Sequence, residues 1–144
     1  MPFLPASANE MRALGWDAPD FVYVSGDAYI DHSSFGAAII TRVLEAEGFR
    51  VAVLAQPRTD TDADFRSFGR PRLGFLVSAG NLDSMVAHYT VAKRRRGEDA
   101  YSPGRVMGKR PDRAVTVYTR KLKALYPDCP VVIGGLEASL RRFA

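Results

Sequence analysis

The residues with the clearest chemical potential follow the first apolar run of the chain. Residues 21–25 form a short aromatic and β-branched run, and Asp27, Asp31 and His32 come soon after it. A helical pattern then begins near Phe35. The order of strand, polar loop and helix places a ligand at the carboxyl end of a parallel strand, beside a helix N-terminus. The sequence therefore predicts a binding site here, with Asp27 and His32 as its first candidate residues.

These side chains allow two interpretations. A histidine titrates near neutral pH, so His32 suits proton transfer or ligation, and the acids could orient a ribose or another hydroxyl group. Alternatively, His32 is a loop histidine hydrogen-bonded to Asp27 or Asp31, and the acids cap the next helix. No cysteine and no second histidine is nearby in the sequence, which disfavours a metal site. No complete catalytic constellation is visible, so we predict neither catalytic nor metal-ligating residues.

Small residues follow the third and fourth predicted strands. Such residues let a ligand approach the backbone closely, where N–H groups can hold an anion. They would serve equally well as tight turns between a strand and a helix. The chain contains no G-x-G-x-x-G or Walker sequence, so a dinucleotide or P-loop site has little support. The predicted cofactor-binding residues at these two strand ends are Ser78, Gly80, Asn81, Gly134, Gly135 and Glu137.

Four apolar runs alternate with helical patterns and predict the framework that positions these residues. Strands are expected at 21–25, 50–55, 73–78 and 131–133, with helices at about 35–47, through 65–68, at 81–89, at 112–125 and from 136 onward. Such alternation is typical of a parallel sheet covered on both faces. Right-handed crossovers give a three-layer, Rossmann-like or flavodoxin-like α/β domain. We expect the strand order 2-1-3-4, with the four polar breaks at one edge of the sheet.

The segment 97–111 is long for a connection between a strand and a helix, and loops of this length are often functional. The basic and aromatic residues in and beside it include Tyr101, Lys109, Arg110, Asp112 and Arg113. They could close over a substrate or hold phosphate. We favour the alternative that the segment packs against further polypeptide. Asp112 is also expected to cap the helix that follows it.

Composition excludes several classes of protein. With 144 residues, 47% hydrophobic and 25% charged, the chain fits one globular domain. No apolar run reaches the roughly 18 residues of a membrane span, and the N-terminus lacks the features of a signal peptide. The single cysteine, Cys129, allows no internal disulfide and no multi-cysteine metal site. These features together lead us to expect a cytoplasmic protein without a membrane partner, and the mild net charge of +4 gives little support to a nucleic-acid partner.

Several long phrases carry a family resemblance. They are GDAYIDHSSFG, RVAVLAQP, SAGNLDSMVAHYT, KRRRGEDAYSPG, GKRPDRAVTVYTRKLK and VVIGGLEASLRR, in this order. Together they closely resemble the N-terminal region of YgiQ-type radical S-adenosylmethionine (SAM) proteins, from about residue 2 to residue 144. Members of that family are several hundred residues long, and a CxxxCxxC triad in a later domain holds their 4Fe–4S cluster. That triad is absent from this chain.

The resemblance implies that residues 1–144 are a single α/β domain and a fragment of a longer radical SAM protein, whose cluster-binding domain lies outside it. The fragment would be a non-catalytic accessory domain that contributes a cofactor or substrate pocket and an interdomain surface. It would hold no cofactor itself, and the remainder of the parent chain would be its partner and would hold the 4Fe–4S cluster and SAM. The pocket, for a small-molecule ligand, is expected around Asp27, His32, Asn81 and residues 134–137, and it would be incomplete in the fragment.

The same region of the family is similar to the cobalamin-binding-type domains that precede many radical SAM barrels. The pair Gly134–Gly135 matches the Gly-Gly that such domains place against the corrin. Their D-x-H-x-x-G motif is not matched, because Ile30 and Phe35 stand where Asp and Gly would be if His32 were its histidine. Cobalamin therefore belongs to a second hypothesis, in which the chain is an autonomous module that binds cobalamin, a nucleotide or nucleic acid.

Overall fold

The computed structural model describes residues 2–29 and 35–142, so Asp31 and His32 lie outside the described residues. The four strands are β1 (Phe21–Ser25), β2 (Val51–Ala55), β3 (Gly74–Ser78) and β4 (Val131–Ile133). All neighbouring strands pair in parallel, in the order β2-β1-β3-β4. The predicted α/β class, the strand order and the common edge of the four strand ends are therefore confirmed.

The helices lie close to the predicted positions, with one addition. They are α1 (Ala8–Ala13), α2 (Gly36–Ala46), α3 (Ala63–Arg66), α4 (Ser84–His88), α5 (Ala114–Leu125) and α6 (Gly135–Arg141), with a 3₁₀ turn at Pro103–Arg105. The addition is α1, where Ser7 Oγ accepts a hydrogen bond from the Glu10 N–H at 3.2 Å. In the part of the chain that the structure describes, no helix combines the length and apolarity that crossing a membrane requires.

The first face of the sheet carries the main hydrophobic core. Alternation along each strand sends every second side chain to this face, where α3 and α5 cover it. The core includes Val22, Val24, Phe75 and Val77 from the sheet and Phe65, Tyr118 and Leu122 from the two helices. Burying a side chain of this size stabilises the fold by roughly 1.5–3 kcal/mol. The apolar stripe of α5 is therefore buried against the sheet of the same chain.

The second face of the sheet is covered over β1 and β2 by α2. Val51 and Val53 are buried there, and α2 turns the fully buried Thr41 inward. The large apolar side chains of α2 point the other way, since Ile39 is 61% exposed and Val43 is 57% exposed. An amphipathic helix of a globular protein normally packs its apolar stripe on the core. In α2 that stripe faces outward.

The two outer edges of the sheet also differ. Along β2, the Val53 N–H donates to the carbonyl oxygen of Pro5 at 2.9 Å, and the neighbouring Leu4 is buried. The N-terminal segment thus covers this edge. At the opposite edge, Val132 and Ile133 of β4 are both more than half exposed.

Candidate functional site

The carboxyl ends of the strands meet and form the centre of the candidate site. Ser25 is the parallel neighbour of both Ala55 and Ser78. Just beyond them lies Asp27, which is buried, and its Oδ2 accepts a hydrogen bond from the Asn81 backbone N–H at 2.7 Å. The structure thus brings Asp27, Ser78 and Asn81 together as the sequence predicts. Their role in binding a ligand stays a prediction.

Two glycines make this close approach possible. Gly80 has a φ of +104°, and a Cβ built there would lie 2.0 Å from Oδ1 of Asp27. A Cβ at Gly26 would lie 2.1 Å from the carbonyl oxygen of Ala79. No side chain fits at such distances, and positive φ is readily adopted only by glycine. Both glycines therefore allow turns of the chain to pack closely on one another.

The segment 97–111 folds back over this edge and inserts Arg110 into it. The guanidinium is 1% exposed, and its Nη1 donates to Asp27 Oδ1 at 2.8 Å and to the Ala79 carbonyl oxygen at 2.9 Å. Its Nη2 donates to the two carboxylate oxygens of Asp99 at 2.6 and 2.8 Å. In open parallel sheets, ligands occupy the crevice beyond the strand ends. Here Arg110 fills that position from within the chain. Packing of the segment 97–111 against further polypeptide stays a prediction.

Asp99 is the second carboxylate of this buried cluster. It is 1% exposed and also accepts a hydrogen bond from the Tyr101 N–H at 3.0 Å. Burial alone would raise the pKa of Asp99, but the hydrogen bonds from Arg110 and Tyr101 outweigh burial and hold the pKa below its usual value. One guanidinium thus faces two buried carboxylates, and its removal would leave them without compensation.

Three further hydrogen bonds fasten the segment to the ends of three strands. The Ala28 N–H donates to the Tyr101 carbonyl oxygen at 2.9 Å, just after β1. Gln56 Nε2, after β2, donates to Ser102 Oγ at 2.6 Å. Asn81 Nδ2, after β3, donates to the Tyr101 hydroxyl at 2.8 Å. The segment is therefore a fixed cover of the candidate site.

A second polar cluster adjoins the first at His88, which is fully buried. Its Nδ1 lies 2.6 Å from Asp112 Oδ1, and the Tyr89 hydroxyl donates to Asp112 Oδ2 at 2.7 Å. Burial alone would raise the pKa of Asp112, but the hydrogen bonds with His88 and Tyr89 outweigh burial and hold the pKa below its usual value. His88 Nε2 lies 3.8 Å from Asp99 Oδ2 and has no hydrogen-bond partner among the described residues. The expectation that Asp112 caps α5 was wrong, because its carboxylate binds His88 and Tyr89 instead.

Glu137, one of the predicted site residues, accepts a hydrogen bond from the N-terminus of α5. Glu137 is 1% exposed, and its Oε1 accepts from the Val115 N–H at 3.1 Å. Its Oε2 accepts from the Ser84 N–H at 2.7 Å, at the start of α4. A carboxylate is favourable at helix N-termini, where backbone N–H groups lack partners. Both carboxylate oxygens of Glu137 are therefore already hydrogen-bonded to helix N–H groups, and the side chain is buried.

The two glycines before Glu137 differ in the space around them. Gly135 has a φ of +85°, and a Cβ there would lie 2.9 Å from Ser78 Oγ. Nothing lies within 4 Å of the corresponding position at Gly134. Gly134 is therefore the more open of these two predicted contacts.

A cavity of about 690 Å³ opens beside the ends of β1 and β2. Its lining includes Tyr29, Gln56, Thr59 and Lys109, and none of the predicted site residues that the structure describes. Gln56 has a φ of +44°, and its Oε1 is buried without a hydrogen-bond partner among the described residues. Strained backbone and unsatisfied polar atoms are features that occur at functional sites. The cavity is therefore a second candidate site, shifted from the expected one toward β2.

The described residues do not fit a metal ion or an iron–sulfur cluster. They include no group of three or more His, Cys, Asp or Glu side chains arranged to hold a metal. Cys129 is buried, and that burial raises the pKa of its thiol. An iron–sulfur cluster takes several thiolates from its protein, which this chain cannot provide alone.

Sequence reasoning named Asp27 and Arg110 separately but missed the contact between them, which organises the edge. Arg110 and Asp27 are 83 positions apart, so no local spacing links them. The sequence gives no sign of the contacts of His88, because its helical neighbours indicate only a structural or surface position. A usable signal existed for α1, since Ser7 and Glu10 have the spacing of a capping box.

Comparison with known proteins gives a consistent result. A family model described as "Radical SAM N-terminal" matches residues 3–144. A UPF0313 protein of Shewanella oneidensis is 58% identical over 143 residues, which are 99% of this chain and 18% of that protein. UPF0313 proteins of Clostridium botulinum strain 657 and Vibrio vulnificus strain YJ016 are each 56% identical, with 22% and 19% of their lengths covered. No solved structure matches the chain.

Proposed function

The chain belongs to the radical SAM N-terminal family, and from this premise we propose that it is a non-catalytic accessory domain of a radical SAM iron–sulfur enzyme. The observation that carries the proposal is the pattern of coverage. The match takes in 99% of this chain but only 18% of the Shewanella oneidensis relative. This coverage supports the proposal that residues outside the domain hold the 4Fe–4S cluster and SAM and carry out the chemistry.

Within that assembly, the chain's own residues would present a rigid surface at the carboxyl edge of the sheet. Arg110 and the hydrogen bonds of Tyr101 and Ser102 join the segment 97–111 to three strand ends. A surface fixed in this way can hold one wall of a pocket in place while another domain supplies the rest. The domain would thus position one wall of the pocket and would perform no chemical step itself.

The small-molecule contact of the domain is proposed at this same edge. Asp27, Asn81 and Gly134 remain candidate contacts, together with His32, which lies outside the described residues. In the isolated chain Arg110 already binds the Asp27 carboxylate, and a pocket that lacks its opposite wall gains little affinity from its polar groups. We therefore expect the isolated chain to bind cobalamin, SAM or nucleotides only weakly, with a Kd of roughly 1 mM.

The proposal is tested with a chimera in which this chain replaces the matched region of the Shewanella oneidensis relative. Both the isolated chain and the chimera are reconstituted anaerobically with iron and sulfide, and iron content and SAM cleavage are measured. We expect about four iron atoms per chimera, SAM cleavage by the chimera alone and substoichiometric iron in the isolated chain. A full cluster on the isolated chain, or a chimera that holds no cluster, would overturn the assignment.

A second candidate function rests on the cavity beside β1 and β2. Its volume of about 690 Å³ lies in the range of small-molecule sites, and Gln56 Oε1 and Lys109 offer an acceptor and a cation. The chain would then be an autonomous module for cobalamin or a nucleotide. Calorimetric titration of the isolated chain with both ligands separates the two functions. Micromolar binding that Gln56→Ala abolishes would favour the module, whereas binding no tighter than about 1 mM favours the accessory domain.

A further inference from the structure

The outward face of α2 presents a continuous row of large apolar side chains, which we call the α2 stripe. Phe35, Ile39 and Val43 are spaced four residues apart, so they follow one another along one side of the helix. Their exposed fractions are 63%, 61% and 57%, and the adjacent Ile40 is 43% exposed. Single exposed apolar residues are common, but a contiguous group of them marks an interaction surface.

The inward face of α2 explains why the helix does not turn this stripe toward the sheet. Thr41 faces inward and is fully buried, and its hydroxyl donates to the Ala37 carbonyl oxygen at 2.7 Å. The hydroxyl therefore needs no partner from the sheet. Ile39 and Thr41 lie on opposite sides of the helix, so a half-turn rotation that buried Ile39 would expose Thr41. The burial of Thr41 thus accompanies the outward position of the stripe.

The exposed apolar surface continues beyond α2 onto the N-terminal segment. The guanidinium of Arg42, on α2, donates to the Pro2 carbonyl oxygen at 2.6 Å, which holds the first residues beside the helix. Phe3 is 87% exposed there, and its ring meets the ring of Tyr29 edge-on with centroids 6.3 Å apart. This arrangement extends the surface from one helix to two neighbouring segments.

We propose that the α2 stripe is the interdomain surface of this protein, and that its occupant is an apolar face of the polypeptide that the longer relatives carry outside the matched region. The inference rests on the proposed function and specifies which surface that function uses. The matched region is 18% of the Shewanella relative and 22% of the Clostridium relative, so roughly four fifths of each lies outside it. The carboxyl edge is already covered by the segment 97–111. Leu136 and Leu140 of α6 are also exposed, at 47% and 49%, but Phe35, Ile39 and Val43 of the α2 stripe are each more exposed than either of them.

Hydrogen exchange on the chimera with the Shewanella relative tests this inference. Amides of residues 36–46 are compared between the isolated chain and the chimera, each unsubstituted and with the pair Ile39→Asp and Val43→Asp. We expect exchange to be about tenfold slower in the unsubstituted chimera than in the isolated chain, because docking suppresses local opening of α2. In the substituted chimera the difference should shrink to about twofold or less.

Two controls keep the test sharp. Val91→Asp introduces one such charge at a fully exposed valine away from α2, and it should leave exchange of residues 36–46 unchanged. The milder pair Ile39→Ala and Val43→Ala keeps helix propensity high, and should lose protection in the chimera without changing the unfolding temperature of the isolated chain. An alanine pair that melts the isolated chain would contradict the proposed exposure of the stripe.

Three results would overturn the inference. Exchange at residues 36–46 could be equal in the chimera and the isolated chain, which would leave the stripe without an interdomain partner. Protection that appears in the isolated chain as its concentration rises would assign the stripe to a second copy. Protection of the isolated chain by phospholipid vesicles would assign it to a membrane surface. A chimera that holds iron and cleaves SAM while α2 remains unprotected would refute this inference alone and leave the proposed function intact.

Discussion

Two helices of nearly equal length differ in the exposure of their apolar residues. In α5, Tyr118 and Leu122 are fully buried against the first face of the sheet. In α2, Ile39 and Val43 are more than half exposed, although the helix packs on the second face. The comparison teaches that an amphipathic pattern predicts a covered face and does not say which polypeptide covers it. Within the described residues, the apolar stripe of α5 is buried and that of α2 is exposed.

The difference extends from the helices to the elements around them. On the α5 side, Glu137 binds the N-terminal N–H groups of α4 and α5, and Arg110 compensates two buried carboxylates. On the α2 side, the N-cap residue Phe35 makes no side-chain capping bond. Val132, further along the sheet, is 59% exposed. The free energy of unfolding should therefore depend strongly on substitutions on the α5 side and weakly on substitutions in the α2 stripe.

The largest effect is expected from Arg110→Met. This change removes the guanidinium that pairs with the buried carboxylates of Asp27 and Asp99, and breaking a buried ion pair typically costs about 3–5 kcal/mol. Urea unfolding of the isolated chain measures the loss, and the neighbouring exposed Lys109→Met is the matched control, with an expected change of about 0.5 kcal/mol or less. Equal effects of the two substitutions would show that the buried cluster does not stabilise this side.

A somewhat smaller effect is expected from Leu122→Ala in α5. The substitution opens a cavity in the core and should lower the free energy of unfolding by about 2–5 kcal/mol. The counterpart in α2, Ile39→Ala, should change it by about 0.5 kcal/mol or less, because the side chain is already mostly in water. Comparable losses from both, measured in the same urea titrations, would remove the contrast between the two helices.

The smallest effect is a dependence on acid pH. The folded-state pKa of Asp99 lies below its usual value, because the hydrogen bonds from Arg110 and Tyr101 outweigh burial. An ionised Asp99 therefore contributes stability that is present above the usual pKa of about 3.8 and is lost as the pH falls through the folded pKa. Urea midpoints measured from pH 6 down to pH 3 should decline for the wild-type chain. The decline should be shallower in Arg110→Met, and an equal slope in both chains would contradict this origin.

The sequence predicts most of the fold because its signals are local. The apolar runs at 21–25, 50–55 and 73–78 each end in polar or glycine turns, and parallel pairing then brings those ends to one edge. The side-chain contacts at that edge were not predictable in the same way. Arg110 reaches Asp27 across 83 positions, and the orientation of α2 depends on what Thr41 packs against. Distant partners of this kind leave no periodic trace in one sequence.

The contact between Gly80 and Asp27 has a consequence for how this chain can change over evolutionary time. Any side chain at position 80 would overlap the Asp27 carboxylate, since even a Cβ would lie 2.0 Å from its Oδ1. Position 80 is therefore closed to substitution while Asp27 is present, and losing Asp27 first would leave Arg110 with Asp99 as its one remaining carboxylate. A change at Gly80, Asp27 or Arg110 alone therefore disrupts a contact made by another of the three. We expect these residues to be retained or exchanged together.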